Sequence, residues 1–429
     1  MNRRNFIIKS GLSSSIFSIV PSSVLGFNGV SPNNKIQIAF IGAGRQGRGL
    51  MKNFTEYNQC QIIAVSDVDS QKVDFFSEEF ENKILKDNEK KVYIKKFEFY
   101  REMLQNTSVD AVVIATPDHW HAQMSVDSAK YGKDIYCEKP LSSTISEGRA
   151  MVNSARKYKV VYQTGSMQRS WKHFRHAAEL IQNGYIGEIK EVNVAIGDPH
   201  KQCDLPSLKA PDHLNWNEWI GPVPYRGYHP DLACLLEDKR WGQWRNYKPF
   251  GGGMITDFGA HMFDIVQWAL EMDNSGPKLF VPPKKNATLG LSYYYDNEVK
   301  VNHIKWGKGN NEIQFIGSEG KLEVSRRYLR TSPDKSLKDL IIPKNATKRV
   351  YQSDNHHLDW LNSIKNRTRP ICDVEIGHRT ASVCNICNIA YDLQRDLEWD
   401  AKKEIFVGDE SANLLIDRPY RGNWNYKEF

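Results

Sequence analysis

Beyond residue 27 this 429-residue chain has no run approaching ~18 consecutive apolar side chains, the length that a membrane-crossing helix needs. It has no Lys/Arg block of the kind that lines a nucleic-acid groove, so no nucleic-acid partner is expected. It has only seven cysteines, Cys60, Cys137, Cys203, Cys234, Cys372, Cys384 and Cys387. An odd, scattered set on a long chain is not a disulfide framework. Cys384 and Cys387 form a CxxC, but no second pair accompanies them. Three-residue spacing puts both thiols on one helical face, so core packing is expected and a metal site is not. There is no internal repeat and no long low-complexity tract. What remains is ordinary globular composition, 40% apolar and 25% charged, which excludes collagen, coiled coil and disorder as the main architecture. The length suits two domains, each able to bury a substantial core.

Acidic residues are missing from one place. Residues 1–33 hold Arg3, Arg4 and Lys9 and neither Asp nor Glu. Those cations supply +3 of the formal net charge of +7, so +4 remains for the rest. The segment MNRRNFIIKSGLSSSIFSIVPSSVLGF runs from a charged start through an apolar, serine-rich stretch to small residues. That is the layout of a secretory signal peptide. Arg3-Arg4-x-Phe6 with Lys9 resembles the twin-arginine export signal. Residues 1–33 are therefore read as signal peptide and linker, with the twin-arginine machinery as partner and the periplasm as destination. No clear A-x-A cleavage site is visible.

From residue 35 short apolar runs alternate with helical stretches. KIQIAFI ends in glycines, CQIIAVS ends in Asp67, VDAVVIA ends in Thr116-Pro117, DIYC ends in Glu138-Lys139-Pro140, and KVVYQT follows a helix over about 144–157. Five strands separated by helices predict a parallel, doubly wound α/β sheet. Ligands of such a sheet lie beyond the carboxyl ends of its strands, where all these polar sequences fall. From about residue 170 the texture changes. A helix closing at Gly184, a region over 199–250 rich in Pro and aromatics, a glycine hinge with a helix after it, strand-like alternation over 286–330 and a helical segment around 353–394 predict a mostly antiparallel sheet with helices.

Gly42-x-Gly44-x-x-Gly47 follows the first strand and opens a helix. The first glycine permits a tight turn, the second lets backbone approach a pyrophosphate, and the third allows close helix packing. Asp67 lies 20 residues past Gly47, where an acid takes the adenosine ribose hydroxyls. A carboxylate there repels a 2′-phosphate, so NAD is favoured over NADP; Arg45 partly offsets this. Lys139, at a strand's carboxyl end, is placed near the nicotinamide as a proton acceptor for an alcohol. The competing reading is a surface Glu-Lys pair before a turn proline. Asp257, His261 and Asp264 are spaced i, i+4, i+7, one face of a helix. An acid–imidazole pair there suits a substrate hydroxyl, with Asp264 as an alternative brace for the ring; a helix cap and a core histidine are the structural alternatives. For the loop Thr116-Pro117-x-His119-Trp120-His121, nearness to the nicotinamide position favours a small-molecule pocket over a packed turn; the aromatics Trp216, Trp219, Tyr225, Tyr228, Trp241, Trp244 and Tyr247 suit a sugar pocket or a self-packed loop equally.

GAGRQG, ATPDHWH, CEKP and GGGMITDFGAHMFDIVQW, in this order, resemble the Gfo/Idh/MocA oxidoreductases from about residue 35 to the C-terminus. The resemblance implies an N-terminal Rossmann domain, placed at 34–160, and a C-terminal α/β domain with an open-faced sheet, placed at 161–429, for substrate and homo-oligomer (dimer or tetramer) contacts. It implies Lys139, Asp257 and His261 as catalytic residues. It implies Gly42, Gly44, Arg45, Gln46, Gly47, Asp67, Thr116, Pro117, His121, Glu138 and Lys139 around NAD. Substrate contacts are expected from His119, Trp120, Arg169, Trp244, Asp257 and His261. The implied activity is hydride transfer from a sugar, glycoside (at carbon 3 in some members) or polyol hydroxyl. Alternatives are a redox-neutral, NAD-dependent glycoside hydrolase and a non-catalytic sugar sensor. Because free NAD is scarce outside the cytoplasm, an exported member is expected to hold it tightly.

Overall fold

The apolar runs of the first half become six short strands in a computed structural model that describes residues 35–87, 93–105, 108–284, 287–307, 309, 311–343, 345–422, 426 and 429. The expected export signal lies outside these residues. The strands are β1 (Ile36–Ile41), β2 (Cys60–Ser66), β3 (Lys95–Phe97), β4 (Ala111–Ile114), β5 (Asp134–Cys137) and β6 (Tyr162–Thr164). All pair in parallel, in the order β3-β2-β1-β4-β5-β6. Ile38 to Ile41 and Ala111 to Ile114 are buried throughout, as expected of strands covered on both faces. The order reverses between β1 and β4, which opens a crevice beyond their carboxyl ends. The helix Ile145–Lys157 is started by a capping box: Thr144 accepts from the Glu147 N–H while Glu147 reaches back.

The second sheet has nine strands. They are β7 (Ile189–Ala195), β8 (Leu279–Val281), β9 (Ser292–Tyr294), β10 (Lys300–His303), β11 (Glu312–Gly317), β12 (Lys321–Ser325), β13 (Leu329–Ser332), β14 (Leu397–Asp400) and β15 (Ile405–Phe406). Their order is β13-β12-β11-β7-β10-β9-β8-β14-β15. Only β7 with β10 is parallel, so the sheet is mostly antiparallel. The helices Lys172–Gln182, Gly259–Ala269 and Val374–Leu393 pack together beside it. Gly259–Ala269 is buried along its whole length.

Three expectations change. A sixth parallel strand, β3, joins the five read from the sequence; its three residues, Lys-Lys-Phe on an edge, carry no apolar run. The segment around 353–394 is two helices, His356–Asn366 and Val374–Leu393, separated where Arg367 turns left-handed at φ +54°. The first of them returns to the parallel sheet, where Trp360 packs edge-on against Phe54 and Tyr136. Finally, the helix carrying Asp257 and His261 is interrupted. Gly253–Asp257 ends at Phe258, and Gly259–Ala269 begins after it. Cys384 and Cys387 are buried in the core of the second domain. Among the described residues no helix is long and apolar enough to cross a membrane, and no group of three acidic, His or Cys side chains is placed to hold a metal.

Candidate functional site

A cleft of about 1220 Å³ runs along the carboxyl ends of β1, β2, β4 and β5 and is closed from the far side by the second domain. That exceeds the ~300–1,000 Å³ usual for one small ligand and suits a dinucleotide with a substrate beside it.

The glycine turn forms one end. Gly42 has φ +102°, and a Cβ there would meet the Ala115 carbonyl group at 2.8 Å. A Cβ on Gly47 would lie 2.1 Å from the Gly42 carbonyl oxygen, so the helix Arg45–Phe54 can approach only because position 47 is bare. A Cβ on Gly44 would meet nothing within 4 Å. Gly44 caps that helix without a side chain, which leaves first-turn N–H groups for an anion. Asp67, at the end of β2, accepts from the Ala43 N–H at 2.8 Å and the Asp69 N–H at 3.0 Å. It both braces the turn and faces the cleft. Burial pushes its carboxyl above the ordinary range, with Lys72 opposing the shift.

Lys139 leaves the end of β5 and meets the helix Gly253–Asp257. Its Nζ donates to Asp257 Oδ1 at 2.5 Å and to the Asp257 carbonyl oxygen at 2.9 Å. Burial alone would raise the Asp257 carboxyl; the charges of Lys139 and Arg245 outweigh it and hold the group below its ordinary value. His261 lies on the same wall. It is 5% exposed, and among the described residues its Nδ1 has no hydrogen-bond partner. Burial, then the nearby Lys139 and Arg326 charges, push the imidazole well below its ordinary value, so the ring is neutral. Glu138 accepts from Gln46 Nε2 at 2.8 Å, which ties this wall to the glycine turn.

Thr116, Pro117, Trp120 and Trp244 line the cleft with the glycine-turn residues Gly42, Gly44, Arg45 and Gln46. Several expected contacts prove to be supports. His119 is buried, hydrogen-bonded to the Trp219 carbonyl oxygen at 3.0 Å and packed on Trp219 and Phe250. His121 Nδ1 lies 2.8 Å from the Pro140 carbonyl oxygen and Nε2 3.1 Å from that of Thr116; the neutral ring donates to one of them, and its packing braces the loop between β4 and β5. Burial lowers these two rings to about 3 and about 4. Arg169 is fully buried, its guanidinium divided between Asp264 and Asp273. It is no substrate contact, and Asp264 faces Arg169, not the imidazole. Asp257 holds Lys139, not His261. Trp216, Trp219, Tyr228, Trp244, Tyr247 and Phe250 form one apolar cluster; self-packing explains most of the aromatic region, while Trp241 is half exposed over the cleft.

Three residues escaped the sequence reading. Asp118 was within the quoted ATPDHWH. It is 4% exposed on the cleft wall. Burial, with Asp257 adding repulsion and Arg245 and Lys139 opposing, raises its carboxyl to about 8. Arg245 lies on the Trp244 ring at 4.3 Å. Arg326 arrives from just beyond β12 and has no signal in its local sequence. Residues 232–246 form a continuous strap over the same cleft, and Trp241 lies over Arg45 of the glycine turn at 5.2 Å.

The model "Oxidoreductase family, NAD-binding Rossmann fold" matches residues 36–166, and "Oxidoreductase family, C-terminal alpha/beta domain" matches residues 199–426, more than half of the chain. The chain belongs to the Gfo/Idh/MocA oxidoreductase family. Myo-inositol 2-dehydrogenase of Thermotoga maritima is 27% identical over 164 residues, covering 38% of this chain and 46% of that protein. A glycosyl hydrolase family 109 protein of Shewanella pealeana is 29% identical, over 36% of this chain and 37% of that protein. The matched segment thus spans less than half of either relative. The crystal structure of myo-inositol 2-dehydrogenase from Lactobacillus plantarum superposes with a TM-score of 0.59 at 16% identity, covering 85% of this chain and 99% of that one. That likeness concerns the fold. Within this Gfo/Idh/MocA chain the cofactor is NAD, and the site fits it. The bare Gly44 position and the uncapped helix start suit the pyrophosphate. Asp67 suits the ribose diol, and the wall from Pro117 to Lys139 suits the nicotinamide.

Proposed function

We propose that the protein is an NAD-dependent dehydrogenase that oxidises a hydroxyl of a sugar, glycoside or polyol. The observation that carries this reading is the Lys139–Asp257 pair on the cleft wall, with the unpartnered imidazole of His261 beside it. Bound NAD supplies the hydride acceptor. Lys139 in its neutral form takes the hydroxyl proton at Nζ and becomes the ammonium that the Asp257 carboxylate pairs with; that proton passes to solvent before the next turnover. His261, neutral and with its Nδ1 unpartnered among the described residues, hydrogen-bonds a substrate hydroxyl and orients the carbinol. Asp118 and His121 position the loop between β4 and the nicotinamide end. Lys139→Ala is expected to reduce sugar-dependent NADH formation about 10²- to 10⁴-fold. Full retention of that rate would remove the assignment.

The likeness to the family 109 glycosyl hydrolase supports a second reading, a redox-neutral glycosidase using the same residues. Early products from aryl glycosides separate the two. Phenol released without net NADH favours the hydrolase, and a keto-sugar favours the dehydrogenase. A sugar sensor has no need of the Lys139–Asp257 contact.

We further propose that the chain is exported by its twin-arginine-like leader with NAD already loaded. The strap over residues 232–246 supports retention, because the cofactor groove lies beneath it. Denaturing natively purified protein is expected to release NAD(H); a supernatant without it would contradict retention.

A further inference from the structure

Lys139, Arg245 and Arg326 lie on the wall that holds Asp257 and His261. Only one of these three cations is closely matched. Asp257 meets Lys139 at 2.5 Å and reaches Arg245 only at 3.7 Å. Among the described residues no carboxylate lies within ion-pair distance of Arg326; Asp257 acts on it from farther away. The Arg326 Nε donates to Gln168 Oε1 at 2.7 Å, and among the described residues its two terminal nitrogens have no hydrogen-bond partner. The guanidinium lies over the rings of Phe258 and Trp171, at 5.1 and 5.7 Å. Arg245 is held in the same manner, on Trp244, with Nη1 donating to the Gly242 carbonyl oxygen at 3.1 Å. Both planar forks are fixed by aromatic faces and neutral acceptors, which orient them without cancelling their charge.

The neighbouring acids do not restore balance. Asp118 is raised to about 8 and is mostly uncharged at neutral pH. Glu138 is turned to the glycine turn, where it accepts from Gln46 Nε2 at 2.8 Å, and a single carboxylate does not match two guanidinium groups. His261 is neutral and adds nothing. The substrate end therefore carries positive charge in surplus, inside a walled cleft that focuses its field.

We propose that the sugar bound here carries an acidic group, a carboxylate or a sulfate ester, gripped by the Arg326 fork with Arg245 assisting. The proposal deepens the dehydrogenase reading and rests on it for the reaction, while charge recognition is separately measurable. A neutral sugar would leave both guanidinium groups facing hydroxyls. A carboxylate or sulfate oxygen pair accepts two parallel N–H bonds from one arginine, the strongest arrangement available to it.

The test uses the full NAD-loaded protein with methyl glucuronide, methyl galacturonide and glucose 6-sulfate, against methyl glucoside, methyl galactoside and glucose. Tryptophan fluorescence reports binding, since Trp241 and Trp244 adjoin Arg245 and Trp171 adjoins Arg326, and NADH absorbance reports turnover. At least one acidic sugar is expected to bind about tenfold or more tightly than its neutral counterpart. That gap is expected to shrink at high salt and to close in Arg326→Gln. Arg245→Gln, with a circular-dichroism check of folding, is a second variant expected to narrow it. The tighter acid, carboxylate or sulfate, assigns the source. Equal binding of acidic and neutral sugars, no binding of any acidic probe, or a gap unchanged in both variants would overturn the proposal. An acidic sugar that binds with the expected gap yet forms no NADH upholds it and overturns the dehydrogenase reading instead.

Discussion

The helix Gly259–Ala269 separates two charge clusters made of the same residue types. Behind it Arg169 lies between Asp264 and Asp273, and Thr380 donates to Asp264 at 3.0 Å. In front of it, beyond the break at Phe258, Asp257 faces Lys139, Arg245 and Arg326. Behind, Arg169 and Asp264 are about 1% exposed, and both carboxylates reach the one guanidinium at hydrogen-bonding distance. In front, cations outnumber carboxylates, side chains reach a cleft, and polar atoms are left without partners. An ion pair alone does not mark a functional site. Completeness of pairing and access to a ligand separate structure from chemistry.

The largest effect expected from breaking this contrast is at Arg169. Arg169→Ala leaves Asp264 buried without its partner and should cost about 3–5 kcal/mol of folding stability, read from urea unfolding. Sugar affinity of the folded protein should remain unchanged. At Arg326, which is exposed, replacement by Gln should leave stability within about 0.5 kcal/mol while altering ligand affinity. A reversal, with Arg169→Ala stable and impaired in sugar binding, would erase the distinction.

A second way to sharpen it is to titrate the front cluster. The folded Asp118 carboxyl holds its proton to about 8, against an ordinary 3.8 in the unfolded chain. Between those values the unfolded chain releases a proton that the folded chain keeps. This group's contribution to stability is therefore fully present below pH 4 and is lost as pH rises through about 8. Asp118→Asn cannot ionise, so it should lose that slope and exceed the parent stability at pH 8 by at least about 1 kcal/mol. The same variant should lose any inflection near pH 8 in the turnover profile. A parent-like slope in the variant would assign the titration elsewhere.

How much of this was legible depends on where each signal resides. The parallel strands were readable because each is a short apolar run ending in polar residues. The glycine turn was readable because tight turn, phosphate approach and helix packing each require a missing side chain at a fixed position. Lys139 and Asp257 could be named, but their contact crosses 118 residues, and periodicity misdirected the rest. A continuous 3.6-residue period put Asp257, His261 and Asp264 on one face, whereas the interruption at Phe258 turns Asp257 toward Lys139 and leaves Asp264 to Arg169. Arg169 illustrates a second limit: residue type is visible in sequence, and burial is not. Arg326 is purely tertiary, since nothing next to it in the chain marks β12 as ending at a cleft. Asp118 was within reach, in a loop already singled out for its histidines, and those histidines turned out to be the loop's internal supports.

The smallest effect concerns the strap that spans both regions of the cleft. Trp241 is 51% exposed, yet its ring receives Arg45 from the glycine turn at 5.2 Å and Arg245 from the substrate end at 5.5 Å. A cation over an exposed ring contributes roughly 0.5–1 kcal/mol, which is about two- to fivefold in a rate constant. Trp241→Ala should therefore speed NADH release about two- to fivefold in stopped-flow fluorescence, with folding stability unchanged. Trp241→Phe should recover part of the retention, because the ring face persists. Since Arg245 rests on Trp244 as well, it keeps one of its two aromatic supports, and acidic-sugar affinity should fall less than in Arg326→Gln. If release is unchanged while sugar affinity falls, Trp241 serves the substrate arginines alone, and the strap covers the cofactor without clasping it.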